Sequence, residues 1–135
     1  MGILICTHGN SAKELLQSAE MICGTQKDCQ TVKFEMGESL DQLQNDLKAK
    51  LDLLQGPVLC LTDLKGGTPF NTLVKLIKDY PDMEIVTGVN IPMLLQLFIN
   101  REQMPLEKLL DSVIEAGQTG IYRYSNTTSG DNEEF

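Results

Sequence analysis

The chain alternates short apolar runs with longer stretches in which apolar residues recur every three or four positions. Ile3 to Thr7 is apolar and partly β-branched and ends at His8-Gly9-Asn10, the pattern of a buried strand. The period then changes. Ala12, Leu15, Leu16, Ala19, Ile22 and Cys23 fall on one face of a helix, and Gly24 stands where a helix C-terminus wants a left-handed residue. Thr31 to Met36 predicts a second strand. Ser39-x-x-Gln42 is a capping-box pattern opening a second helix, with Leu40, Leu43, Leu47, Leu51 and Leu54 on one side and Gly56-Pro57 as its stop. Val58 to Thr62 predicts a third buried strand. Asp63-Leu64-Lys65-Gly66-Gly67 follows as a loop, and Thr68-Pro69 reads as an N-cap with proline at the first helical position. Phe70, Leu73, Val74, Leu76 and Ile77 mark the expected buried face of that third helix.

Met83 to Thr87 predicts a fourth strand, Gly88-Val89-Asn90 a loop, and Pro92 to about Arg101 a fourth helix capped by Asn90 or a neighbour. A fifth helix is expected from Leu106 to Ala116, with Leu109, Leu110, Val113 and Ile114 inward and Gly120 closing it. Ile121 to Tyr124 alternates like a short edge strand. The pattern predicts one domain over 1–124 and a flexible acidic tail over 125–135. This βαβαβαβααβ alternation predicts an α/β fold with an open, mainly parallel, doubly wound sheet, because right-handed crossovers place helices on both faces. In the flavodoxin-like version the order is 2-1-3-4, and the ligand crevice opens between the carboxyl ends of strands one and three. Those two ends carry His8 and Asp63.

Composition narrows the function. Hydrophobic residues make up 41 % of the 135, enough for a single core, and charged residues 22 %, so the body of the chain is not disordered. The net charge of −8 argues against nucleic acid and anionic membrane surfaces, whose affinity comes from Lys and Arg neutralising phosphates. No apolar run approaches the roughly 18 residues that span a bilayer, and the first strand lacks the basic segment of a signal peptide, so the chain reads as cytoplasmic. Cys6, Cys23, Cys29 and Cys60 form no CxxC pair, and Cys6 and Cys60 lie within apolar runs, so they read as reduced core residues. Neither a metal nor a cofactor is expected.

His8 is the one histidine. At the end of a central strand, facing an aspartate that can accept from one ring N–H, its other nitrogen presents a lone pair and is a nucleophile at neutral pH. The Gly66-Gly67-Thr68-Pro69 turn and the helix beginning near Ser11 bring backbone N–H groups and two helix N-termini, which favour an anion such as a phosphoryl group. The expected site therefore comprises His8 as phosphoacceptor, Asp63 to orient it, and Gly9, Ser11, Gly66, Gly67 and Thr68 around the phosphate.

Three segments carry a family likeness: Ile3-Leu4-Ile5-Cys6-Thr7-His8-Gly9, Thr62-Asp63-Leu64-Lys65-Gly66-Gly67-Thr68-Pro69-Phe70-Asn71, and Gly88-Val89-Asn90-Ile91-Pro92-Met93-Leu94. Together they resemble the enzyme IIA component of the mannose family of the bacterial phosphoenolpyruvate-dependent sugar phosphotransferase system, and the likeness runs from Met1 to about Tyr124. It implies a phosphotransferase working through a phosphohistidine. His8 would accept the group on Nε2 from the phosphocarrier HPr and pass it to a IIB component, which serves membrane IIC and IID partners. Asp63 would hold the other ring nitrogen, and Thr68 would be the hydroxyl residue lining the phosphate site. It also implies a homodimer in which the strand near Ile121 to Tyr124 pairs with the neighbouring subunit. With no linker to a fused IIB domain, the chain reads as a stand-alone IIA. Lys65 departs from the pattern, since some mannose-specific members carry tryptophan there.

Two other readings use the same loops. Thr7-His8-Gly9-Asn10-Ser11 has the small, polar look of a phosphate-cradling loop, as in a flavodoxin-like module binding FMN or phosphate, although aromatics are only 5 %. A response-regulator receiver would use Asp63 as phosphoacceptor and Thr87 after strand four, but the acidic pair that would hold magnesium after strand one is missing.

Overall fold

From Gly2 to Thr7 every residue is buried, and so is every residue from Val58 to Thr62, so these strands need cover on both faces. The computed structural model describes residues 1–126. Its strands are β1 (Gly2–His8), β2 (Cys29–Phe34), β3 (Val58–Thr62) and β4 (Met83–Thr87). The helices are α1 (Ser11–Cys23), α2 (Leu40–Leu51), α3 (Thr68–Leu76), α4 (Ile91–Asn100) and α5 (Leu106–Thr119). All strand pairs are parallel and the order is β2-β1-β3-β4, the doubly wound arrangement expected from the alternation.

Alternation along the strands builds two cores. Ile3, Ile5, Leu59 and Leu61 meet α1, α4 and α5 through Ala12, Ala19, Leu94, Leu97, Leu109 and Val113. On the other face Leu4, Cys6, Val58 and Cys60 meet α2 and α3 through Leu43, Leu47, Leu73 and Leu76. The helices on opposite faces fix the loops at the carboxyl edge of the sheet, where β1 and β3 lie side by side with Cys6 opposite Thr62.

Several boundaries differ from expectation. β2 covers Cys29–Phe34 rather than 31–36, because pairing with β1 sets its register from Ile3–Cys29 to His8–Phe34, leaving Glu35 and Met36 in the loop. The capping box of α2 is half made: Ser39 Oγ accepts from the Gln42 amide, but the Gln42 side chain donates to Asp46. The N-cap of α3 is Gly67, and Thr68 is its first residue. Its buried stripe is Pro69, Thr72, Leu73 and Leu76, while Val74 and Ile77 are exposed. Ile22 and Leu40 are likewise exposed, and in α5 Gly117 is buried where Ile114 is not.

The expected edge strand at Ile121 to Tyr124 pairs with no strand among the described residues, and Ile121, Tyr122 and Tyr124 are exposed. A strand needs a partner for its backbone groups, and among the described residues this segment has none. Beyond Asn126 the expected tail lies outside the described residues.

Candidate active site

Parallel pairing of β1 with β3 places the residues that follow Cys6 and Thr62 at one edge, and there His8 meets Asp63. His8 Nδ1 lies 2.9 Å from Asp63 Oδ2, and the His8 backbone N–H donates to the same oxygen at 3.2 Å. An ionised carboxylate only accepts, so Nδ1 is the donor, and in the neutral ring the lone pair is on Nε2. Burial pushes the Asp63 carboxyl up, but hydrogen bonds from the His8 ring and backbone, with the imidazole charge, outweigh it and hold the group below the ordinary aspartate range. Asp63 is thus an anion throughout the neutral range. Its second oxygen, Oδ1, is buried with no hydrogen-bond partner among the described residues.

The ring is held on two further sides. Phe34 meets it edge-on, with ring centroids 6.0 Å apart and planes at 73°. Gly67 lies against the Cε1–Nε2 edge: a Cβ there would stand 2.9 Å from His8 Cε1 and 3.5 Å from Nε2. Glycine is needed at this position for close approach, since its φ of −73° suits any residue. The loop bearing Gly67 is itself fixed. Gly67 N–H donates to Leu64 O at 3.1 Å, Gly66 has φ +80°, and Asn71 Nδ2 donates to Gly66 O at 2.9 Å.

The expected phosphate ligands fall into two groups. Gly9 N–H donates to Phe34 O at 2.8 Å and Gly67 N–H to Leu64 O, so neither amide faces an anion. Ser11 Oγ is turned inward, 2.7 Å from Thr7 Oγ1 and 3.1 Å from His8 O, and buttresses the end of β1. Gly66 shapes the turn. Thr68 stands in the first turn of α3, and its hydroxyl makes no hydrogen bond to another described residue. The first-turn amides of α1 and α3 lack intrahelical partners, which leaves the positive ends of two helix dipoles at this edge.

Phe34 and Asn71 are site residues that the sequence pattern does not single out. The β1–β2 register, which sets His8 opposite Phe34, is the signal for the first; the second sits at the end of the second motif. The third motif works at one remove. Val89 N–H donates to Thr62 O at 2.9 Å, while Asn90 caps α4 by accepting from Met93 N–H and donates to Gly117 O on α5. Cys6 lies beneath the site, and burial foremost, with Asp63 adding, pushes its thiol up to about 12, which removes it as a nucleophile.

A family profile described as "PTS system fructose IIA component" matches residues 2–114. The chain is 38 % identical over 125 residues to the "PTS system mannose-specific EIIAB component" of Escherichia coli (strain K12), covering 90 % of this chain but 38 % of that protein. It is 32 % identical over 115 residues to the "PTS system fructose-specific EIIA component" of Bacillus subtilis (strain 168), covering 84 % of this chain and 79 % of the relative. In three dimensions it is similar to the phosphotransferase system component EIIA from Streptococcus agalactiae, with a TM-score of 0.82, 32 % identity, and coverage of 90 % and 95 % of the two chains. With the profile spanning most of the chain and the fold shared with a solved EIIA, the chain belongs to the EIIA family of the sugar phosphotransferase system.

Proposed function

We propose that His8 is the phosphoacceptor, receiving a phosphoryl group on Nε2 from the phosphocarrier HPr and handing it to a IIB component. The observation that carries this reading is the pair of contacts from His8 to one Asp63 oxygen, which leaves Nε2 as the free lone pair. In the transfer, the Nε2 pair forms the new N–P bond as the donor's N–P bond breaks, and the Nδ1 proton stays in its bond to Asp63. Thr68 and the first turn of α3 are the donors facing the phosphoryl oxygens, and Gly67 gives the room for them. Exposed Met36 and Leu64, on loops at this edge, suit a protein partner rather than a small donor. The chain's negative charge complements a partner that is basic around its own phosphorylation site. The same reading includes a homodimer joined through Ile121 to Tyr124, with the solution mass of two chains. Transport then depends on membrane IIC and IID partners reached through IIB; no helix among the described residues is long and apolar enough to cross a membrane.

The test is incubation with phosphoenolpyruvate, enzyme I and HPr. Acid-labile label on the wild-type chain, lost in His8→Ala, is the expected result; undiminished label in the variant contradicts it.

A further inference from the structure

We propose that Lys65 is the cation that meets the phosphoryl group on His8, an inference that rests on the reading of His8 as phosphoacceptor. Leu64-Lys65-Gly66-Gly67 is a closed turn, with the Gly67 N–H to Leu64 O bond across it and Gly66 at φ +80° in its third position. That is the type II pattern, which sets Lys65 at the apex. The bond from Asn71 to Gly66 O holds the turn in place, and Gly67 is pressed on the Cε1–Nε2 side of the ring. Lys65 therefore projects from the same short turn that touches the nucleophilic edge of His8, and it is exposed.

The charge balance of the site calls for such a group. A phosphoryl group brings roughly 1.5 to 2 negative charges, and it would arrive on a ring whose other nitrogen is already bound to an anion. Each helix N-terminus offers only about half a positive charge. Two other cations are committed elsewhere. Lys33 pairs with Glu35 at 2.9 Å, and Arg101 donates to Met1 O and Lys27 O at the amino edge of the sheet. Lys13 lines a cavity beside β2 with Val32 and Ala49. Lys65 makes no ion pair among the described residues. An ammonium on a flexible stem suits this role, donating N–H bonds to the phosphoryl oxygens and keeping its proton throughout.

The experiment compares the full chain with Lys65→Met and Lys65→Arg, using two donors at neutral pH: phospho-HPr, and phosphoramidate as a donor with no protein surface. With phosphoramidate, its N–P bond breaks, ammonia leaves, and the His8 Nε2–P bond forms. Lys65→Met is expected to label about tenfold more slowly with both donors, the low end for a charge-assisted hydrogen bond at a partly exposed site. Lys65→Arg is expected to recover most of the rate. The wild-type advantage should shrink in about 1 M salt, where the screening length is about 3 Å. A Lys65→Met rate equal to wild type with phosphoramidate overturns the proposal, and a deficit confined to phospho-HPr does so too, by making Lys65 a docking residue. Absence of His8 label in the wild-type chain overturns the phosphoacceptor reading and this proposal together, so the two failures are distinguishable.

Discussion

Asp63 does two things with one oxygen: it fixes the ring through Nδ1 and anchors the His8 backbone N–H, so the imidazole is held at both its tip and its root. Replacing it with Asn keeps the shape and removes the charge. Asp63→Asn is therefore expected to slow phosphoryl transfer by about ten- to a hundredfold, the range for losing a hydrogen bond to a charged group. The same substitution has a signature in stability against pH. Because the folded-state pKa of Asp63 is lowered, its contribution is fully present above the ordinary aspartate range and is lost as pH falls through the lowered value. Urea unfolding from neutral to acid pH should show that loss in wild type, whereas Asp63→Asn lacks this component; parallel profiles would contradict the assignment. His8 and Asp63 are readable as a pair in the sequence because each directly follows a short buried apolar run, Ile3 to Thr7 and Val58 to Thr62. The roles of Gly9 and Ser11 are not, since they depend on where an amide and a hydroxyl turn: toward Phe34 O in one case, toward Thr7 and the His8 carbonyl in the other.

Strands and helices were legible where burial is one-sided or complete. Val58–Thr62 and Met83–Thr87 lie where the apolar runs place them, and α1 starts at Ser11 and stops at Gly24 as its pattern implies. The errors have one cause: tertiary partners move an element's phase or ends. β2 starts two residues early because β1 dictates the pairing, and in α3 the turn that packs Leu73 and Leu76 on the sheet takes Thr72 inward and leaves Val74 exposed. The strand expected at Ile121 has the right alternation but no neighbouring strand among the described residues. At the α4–α5 junction, glycine permits a contact no other residue allows. A Cβ on Gly117 would stand 2.5 Å from Met93 Cγ, and Met93 is only 3 % exposed. Alanine normally gains about 1 kcal/mol over glycine inside a helix. Here overpacking, typically about 1–3 kcal/mol, should win, so Gly117→Ala is expected to lower the denaturation midpoint. A raised midpoint would show that the two helices can separate at little cost.

At the scale of the whole molecule, the two hydrophobic cores hold a sheet whose carboxyl edge gathers His8, Asp63, the Gly66-Gly67 turn and two helix N-termini. The family relationship and this geometry support the proposal at different levels. Membership places the chain among phosphotransferase-system EIIA components, and the Nδ1–Asp63 hydrogen bond is what points the proposed acceptor role to Nε2. The most direct measurement is therefore the position of phosphorus on the ring. In ¹⁵N-labelled protein phosphorylated through HPr, ¹H–¹⁵N correlation spectra of His8 should show ³¹P coupling at Nε2, with Nδ1 still protonated. Phosphorus on Nδ1, or on any residue other than His8, would contradict the account.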